Sequence, residues 1–336
     1  MRYRTLGRSG LHISEIGLGT LNFGDVTSAW DARQIMDQYV HMGGNYIDTH
    51  AGYRGAEAES IIGDWMRDGG HRSHIILGTK AYLPEDGDPN HRGLSRQAIQ
   101  FSVEQSLRRL QTDYVDLYYL HFPDPRVPLD ESLYALEMLI QAGKVRYGAL
   151  SNAHAWQAMH ALSSQNARDW APLTAIQAPY SLLDRTSETA LQPFLEAQSL
   201  PLIVWGGLGG GFFTGKYTRD AAPSEKTRLG APDSIWADFY ARHAFTPAGW
   251  RILETVQDIA KRQGIVPSEV ALHWLLSNPV VASVLVGVRH ISQIDIHLDI
   301  WPSRLEENDL AELASVSQPP PSYMDDMAAL AERWGG

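Results

Sequence analysis

The sequence contains no cysteine. That removes disulfides, thiolate nucleophiles and zinc–thiolate centres, and it leaves the redox compartment open, because a Cys-free chain tolerates either. No run of roughly 18 apolar residues occurs, so nothing reads as a membrane-crossing helix. The opening residues MRYRTLGRSGLHISEIG lack the continuous apolar stretch of a secretory leader, which makes a cytoplasmic location the default expectation. Runs of five or six basic residues are absent and the formal net charge is −11, a surface field that opposes nucleic acid and anionic membranes. No Gly-x-Gly-x-x-Gly opens a helix after the first strand candidate, so the common dinucleotide-binding βαβ unit is not indicated. His12, His41, His71, His160, His273 and His290 share no spacing with carboxylates that suits a metal ion, and no metal is expected. Nothing in the sequence signals an oligomeric state.

What is present is a chain built to fold. It has 336 residues, 44% of them hydrophobic, and ten Trp, ample for burying a large core. Turn residues Gly7-Arg8-Ser9-Gly10 between two β-prone runs predict an N-terminal hairpin over 2–14. Short apolar runs then recur at 15–19, 46–49, 75–80, 115–121, 145–151, 173–177, 202–205 and 282–287, with longer amphipathic stretches between them. Segment 95–110 shows Ile99, Val103, Leu107 and Leu110 at helical steps, with Ser95 as N-cap. Segments 31–42, 247–263 and 267–278 behave alike. Eight strands alternating with helices predict a parallel sheet with right-handed crossovers, and the count favours a closed (β/α)8 barrel. No composition break marks a linker, so one domain is expected: hairpin, barrel to about 315, and a polar, Pro-rich tail over 316–336. The segments 206–246 and 316–336 do not fit the alternation and are expected to be long loops over the C-terminal face, where barrels build their sites.

Polar residues end successive strand candidates: Asp48 in NYIDTH, Lys80 in IILGTK, His121 in DLYYLH, Ser151-Asn152 in YGALSN and Gln177 in TAIQAPY. One such residue is ordinarily a satisfied structural group, but five in series point to a site. Tyr53 follows Asp48 by five residues. Its phenol can donate a proton to a carbonyl oxygen as hydride reaches the carbon. An ordinary tyrosine pKa of about 10 is high for that task, and a neighbouring Lys80 ammonium would lower it. Asp48 would hold Lys80 and offset its burial. His121, as imidazole or imidazolium, would donate to the substrate oxygen and orient it.

These stretches resemble the aldo-keto reductase superfamily over about residues 1–315: IGLGT (16–20), IDTHAGY (47–53), LGTK (77–80), DYVDLYYLH (113–121), KVRYGALSN (144–152), IQAPYSLLDR (176–185) and FFTGKY (212–217). The family's Asp, Tyr, Lys and His fall at Asp48, Tyr53, Lys80 and His121. The resemblance implies a (β/α)8 barrel that binds NADP(H) across its C-terminal face and reduces an aldehyde or ketone, reversibly. It implies that Ser151, Asn152 and Gln177 hold the nicotinamide carboxamide, that Tyr180 stacks on the nicotinamide ring, and that Gly19, Thr20 and Asp48 also touch the cofactor. Two regions depart from the pattern. A Ser-Pro-Leu-Ala loop is replaced by Gly206-Gly207-Leu208-Gly209-Gly210-Gly211, leaving close backbone approach at Gly206, Gly207, Leu208 and Gly210 and the charge of Lys216 for the pyrophosphate. In LVGVRHISQIDIH (285–297) the resemblance assigns Gly287, Arg289 and Gln293 to the adenosine phosphate, while His297 replaces the usual Asn. Arg289, a planar cation suited to a 2′-phosphate, favours NADP over NAD.

Asn22, Phe23, Tyr53, His121 and Trp205 are candidates for the substrate pocket, with Trp30 and Trp236 as further walls, and the aromatics suggest a ring-containing or sugar-like carbonyl. His50 and His154 stand beside site segments. Two other readings stay open: a cofactor-sensing regulatory subunit on the same scaffold, similar to potassium-channel β-subunits, and a different barrel enzyme such as a metal-dependent hydrolase or sugar-phosphate isomerase.

Overall fold

A computed structural model describes residues 1–53, 55–83, 86–231, 235–294, 305–320 and 323–334. The chain opens with the antiparallel hairpin β1 (Tyr3–Thr5) and β2 (His12–Ser14). Eight parallel strands follow: β3 (Ile16–Gly19), β4 (Tyr46–Asp48), β5 (Ile76–Ala81), β6 (Val115–Leu120), β7 (Val145–Ser151), β8 (Ala175–Pro179), β9 (Leu202–Trp205) and β10 (Val281–Val286). Each pairs with its sequence neighbour and β10 closes on β3, giving a closed barrel. The fold is the expected (β/α)8 barrel with an N-terminal hairpin.

The helices form where capping and periodicity coincide. The Ser95 hydroxyl accepts the Ala98 N–H at 3.2 Å and opens α3 (Arg96–Leu110). Thr246 does the same for Gly249 at 2.9 Å, with Pro247 at the first helical position of Pro247–Gln263. The two segments expected as long loops carry helical elements of their own. Segment 206–246 holds a short 3-10 stretch, Gly209–Thr214, and the helix Ile235–Ala244. The tail holds the helix Tyr323–Trp334.

Side chains alternate in and out along each strand, so inward residues stack in layers two positions apart. Tyr46, Leu117, Tyr119, Ala149, Ala175, Ile203 and Ala282 fill the lower interior, and Leu6 and Ile13 of the hairpin complete that cluster from below. Both hairpin side chains are fully buried. Arg4 fastens the hairpin to the barrel's underside, donating to Leu276 O at 2.6 Å and pairing with Glu15. Two residues further along the same strands come Asp48, His121, Ser151, Gln177 and Trp205, with Lys80 above Gly78. The apolar layer thus becomes the floor of a polar one.

Candidate active site

Asp48 and Lys80 form a buried ion pair across β4 and β5, at 2% and 1% exposure. The pair is fully coordinated. Lys80 Nζ donates to Asp48 Oδ1 and to Thr49 O, the latter at 2.9 Å. Asp48 Oδ2 accepts Gln177 Nε2 at 2.9 Å and Tyr46 OH at 3.1 Å. Tyr46 in turn shares a 2.7 Å hydrogen bond with Tyr119. Burial, with the Asp48 charge second, drives the Tyr46 phenol far above its ordinary value, so it stays a neutral donor. Such completeness is what a buried ion pair needs, since its desolvation is costly.

Tyr53 is half-buried, and the Lys80 Nζ lies 5.7 Å from its ring centroid. Here the simple electrostatic expectation is corrected. Burial raises the phenol pKa by more than Lys80 lowers it, with Asp48 adding to the rise, so the net shift is upward. Burial opposes the Lys80 charge as well, but Asp48 and Tyr53 outweigh it and hold the ammonium protonated. His121 is resolved too: burial first, then His50 and Lys80, push its pKa far down, which leaves a neutral imidazole.

Ser151, Asn152 and Gln177 line up on β7 and β8. Ser151 Oγ donates to Gln177 Oε1 at 3.3 Å, and Asn152 Nδ2 donates to His121 O at 3.0 Å. Asn152 takes a left-handed backbone, φ 57°, which turns its amide back over the barrel mouth. Trp205 donates from Nε1 to Asn152 Oδ1 at 3.0 Å.

Tyr180 is not brought to this cluster. It is 3% exposed, donates to Glu188 at 2.6 Å and packs on Trp274, 5.2 Å between ring centroids, outside the barrel. One residue past β8, it has the outward parity of Ile176 and Ala178, whereas Trp205 has the inward parity of Ile203. Phe23 is likewise in the core, fully buried, rather than on the pocket wall. Asn22, 4% exposed, accepts Arg228 Nη2 at 2.7 Å and donates to Val288 O at 3.3 Å, so it braces the mouth instead of lining a pocket. Trp30 is exposed, while Trp236 and Phe239 flank Trp205 at centroid distances of 6.5 and 6.4 Å.

The β3 and β10 ends meet at Gly19 and Gly287, where a Cβ on Gly287 would lie 3.4 Å from Gly19 O. Thr20 is buried, its hydroxyl donating to Asp48 O at 3.0 Å. Gly206, Gly210 and Gly211 all have positive φ. Leu208 is half-buried, and Gly207 fits against Leu275, which a Cβ would approach to 2.6 Å. Lys216 folds its ammonium back over Gly211, 2.9 Å from where a Cβ would stand. Arg289 donates to Lys226 O at 2.8 Å, and Gln293 Oε1 accepts the Arg289 N–H at 2.8 Å. His297 lies outside the described residues. Arg228 was not singled out from sequence, yet it belongs here. Desolvation followed by the like charges of Arg289 and Arg228 lowers the Lys216 pKa. Arg228 itself is lowered by burial and Arg289, against partial relief from Tyr240, Tyr217 and Tyr53. Three cations therefore share one space beside the tetrad, which is how a protein prepares for a polyanion. No group of three or more His, Cys, Asp or Glu suited to a metal ion occurs among the described residues.

Comparison with known proteins matches this geometry. The model of the Aldo/keto reductase family covers residues 15–318. The chain is 36% identical to an uncharacterized oxidoreductase, YrpG, of Bacillus subtilis over 88% of this chain and 89% of that one. It is 32% identical to the protein Tas of Escherichia coli over 95% and 98%, and 33% identical to a probable voltage-gated potassium channel subunit beta of rice (Oryza sativa subsp. japonica) over 88% and 89%. With its barrel, its four-residue polar cluster and these matches, the chain belongs to the aldo/keto reductase family of oxidoreductases.

Proposed function

We propose that the protein reduces an aldehyde or ketone with NADPH, using Tyr53 as the proton donor. The observation that carries this reading is the Lys80 ammonium, held in place by Asp48, 5.7 Å from the Tyr53 ring centroid. The residues fit the cofactor. Ser151, Asn152 and Gln177 present amide and hydroxyl groups matched to a carboxamide, and Trp205 offers the aromatic plane first assigned to Tyr180. Lys216, Arg228 and Arg289 would take the phosphates, with Arg228 and Arg289 supporting a 2′-phosphate and hence NADP.

NADPH, when bound, supplies the hydride. The chain's own residues manage the rest. The neutral His121 imidazole directs its N–H at the carbonyl oxygen and fixes its orientation. The proton leaves the Tyr53 hydroxyl for that oxygen, and the resulting phenolate faces Lys80, which stabilises it. The raised Tyr53 pKa keeps the donor protonated until the developing alkoxide, a much stronger base, draws the proton away. Trp205, Trp236 and Phe239 give the pocket an apolar, ring-accepting wall, which supports a ring-containing carbonyl as substrate.

The test is NADPH depletion against a panel of aldehydes and ketones, with NADH in parallel. Turnover with preference for NADPH is expected. Tyr53→Phe should reduce kcat by about 1000-fold while NADPH still quenches tryptophan fluorescence; normal turnover in that variant would overturn the mechanism. The family tie to potassium-channel β-subunits supports one other reading, a cofactor-sensing subunit. Tight NADPH binding with no turnover on any carbonyl would establish it instead.

A further inference from the structure

The tetrad leaves one question of proton bookkeeping open, and a fifth residue answers it. His50 lies two positions beyond Asp48 and is 1% exposed. Its Nδ1 accepts the Gly52 N–H at 3.1 Å. A nitrogen that accepts carries the lone pair, so the neutral ring holds its proton on Nε2. That Nε2 is buried and has no hydrogen-bond partner among the described residues. The buried donor therefore has no acceptor among the described residues.

His121 presents the complementary problem. The residue is half-buried, but its Nδ1 is inaccessible and equally unpartnered among the described residues. Its accessible edge is then the one carrying Nε2. The two imidazoles touch edge to face, 4.4 Å between centroids at 67°, and the His50 ring also meets Tyr53 at 5.4 Å. The two nitrogens are not hydrogen-bonded as the rings stand, so a shift of one ring would be needed to join them. A donor without an acceptor thus abuts a nitrogen whose role depends on its tautomer.

We propose that His50 is a positioning residue for His121: by offering its Nε2–H to His121 Nδ1, it fixes His121 as the Nε2–H tautomer and so aims a neutral N–H donor at the substrate oxygen. The Gly52 amide, His50, His121 and the carbonyl oxygen then form one series of hydrogen bonds of the same polarity, each polarising the next. No proton is transferred along it and no ring changes charge. The surroundings agree. Burial comes first in keeping His50 neutral, followed by Lys80 of β5 and Arg109 of α3, and burial, His50 and Lys80 do the same for His121. Tyr53 is the other titratable group against His50. Tautomer, not protonation, is the variable that the pair controls.

The inference rests on the reductase reading only for the identity of the final acceptor, and its test separates the two. In full-length protein with 15N-labelled histidine, two-bond proton–nitrogen spectra report each ring's tautomer without any turnover. The His121 signals are identified by their loss in His121→Gln. His121 is expected as Nε2–H in the wild type. His50→Leu removes the donor at similar bulk and should abolish that preference, lower kcat at least about tenfold and leave NADPH quenching within about twofold. His50→Gln places an amide donor near the lost Nε2–H and should restore the tautomer and most of kcat. A wild-type His121 in the Nδ1–H form overturns the proposal, as does a His50→Leu variant that keeps the wild-type tautomer and kcat. Should His50→Leu not fold, the wild-type and His50→Gln spectra still decide. Should the wild type reduce no carbonyl, the reductase reading fails while the spectra still judge His50.

Discussion

On the β4–β6 side of the barrel mouth, the Lys80 charge is met by Asp48, and Asp48 is met by Gln177 and Tyr46, so every polar atom of the pair has its partner in place. On the β9–β10 side, burial and then neighbouring like charge lower the pKa values of Lys216 and Arg228 instead. The first group is complete without any ligand. The second holds its charges together at a cost that an incoming polyanion removes. In the proposed reading, chemistry is preorganised on one side, and on the other partly buried, mutually repelling cations would favour an anion.

The sharpest way to break this contrast is to remove one partner from each side. Asp48→Asn leaves the Lys80 ammonium buried without its counter-charge and should cost about 3–5 kcal/mol of unfolding free energy, measured by urea denaturation. Adding Lys80→Met to that variant should recover much of the stability and none of the activity. Arg228→Gln should do the opposite: stability within about 0.5 kcal/mol of wild type, because repulsion is relieved, with the KM for NADPH raised about 10- to 100-fold through a lost charge-assisted contact. If Arg228→Gln destabilised the fold as much as Asp48→Asn, the contrast would collapse.

The pH dependence sharpens it further. For carbonyl reduction the acid form of Tyr53 is the active one, and burial raises its pKa. Raising pH removes activity only as that form ionises, so kcat/KM should show no alkaline loss below about pH 10, the value of an ordinary tyrosine. His121, held neutral by burial, should contribute no acid limb above pH 5. The smallest effect is ionic: between 50 and 200 mM salt, NADPH affinity should fall a few-fold, since the cations on the β9–β10 side are partly open to solvent, while the buried Asp48–Lys80 pair is indifferent.

The same division governed what could be read from the sequence. Asp48, Lys80, His121, Ser151 and Gln177 were legible because each ends an apolar run whose period of two fixes which way it points. Tyr180 was misplaced by ignoring that period: it stands an odd number of residues from Gln177, so it faces the helices, whereas Trp205 keeps the parity of the interior. Phe23 looked available beside IGLGT, but a fully buried aromatic is ordinarily core. Arg228 gave no signal, since the loop that carries it has neither strand nor helix periodicity, and only tertiary folding brings it against Asn22. The helix Tyr323–Trp334 was obscured by Pro319, Pro320 and Pro321, which mark the approach to a helix as readily as a tail.

The hairpin beneath the barrel has a kinetic consequence. Leu6 and Ile13 lie beneath a lower interior already filled by strand side chains, which leaves the mouth as the way in. Two reactants that must meet inside cannot enter from opposite sides, so whichever lies deeper has to arrive first and depart last. For the proposed reaction, a compulsory sequence of entry and exit is the expected consequence.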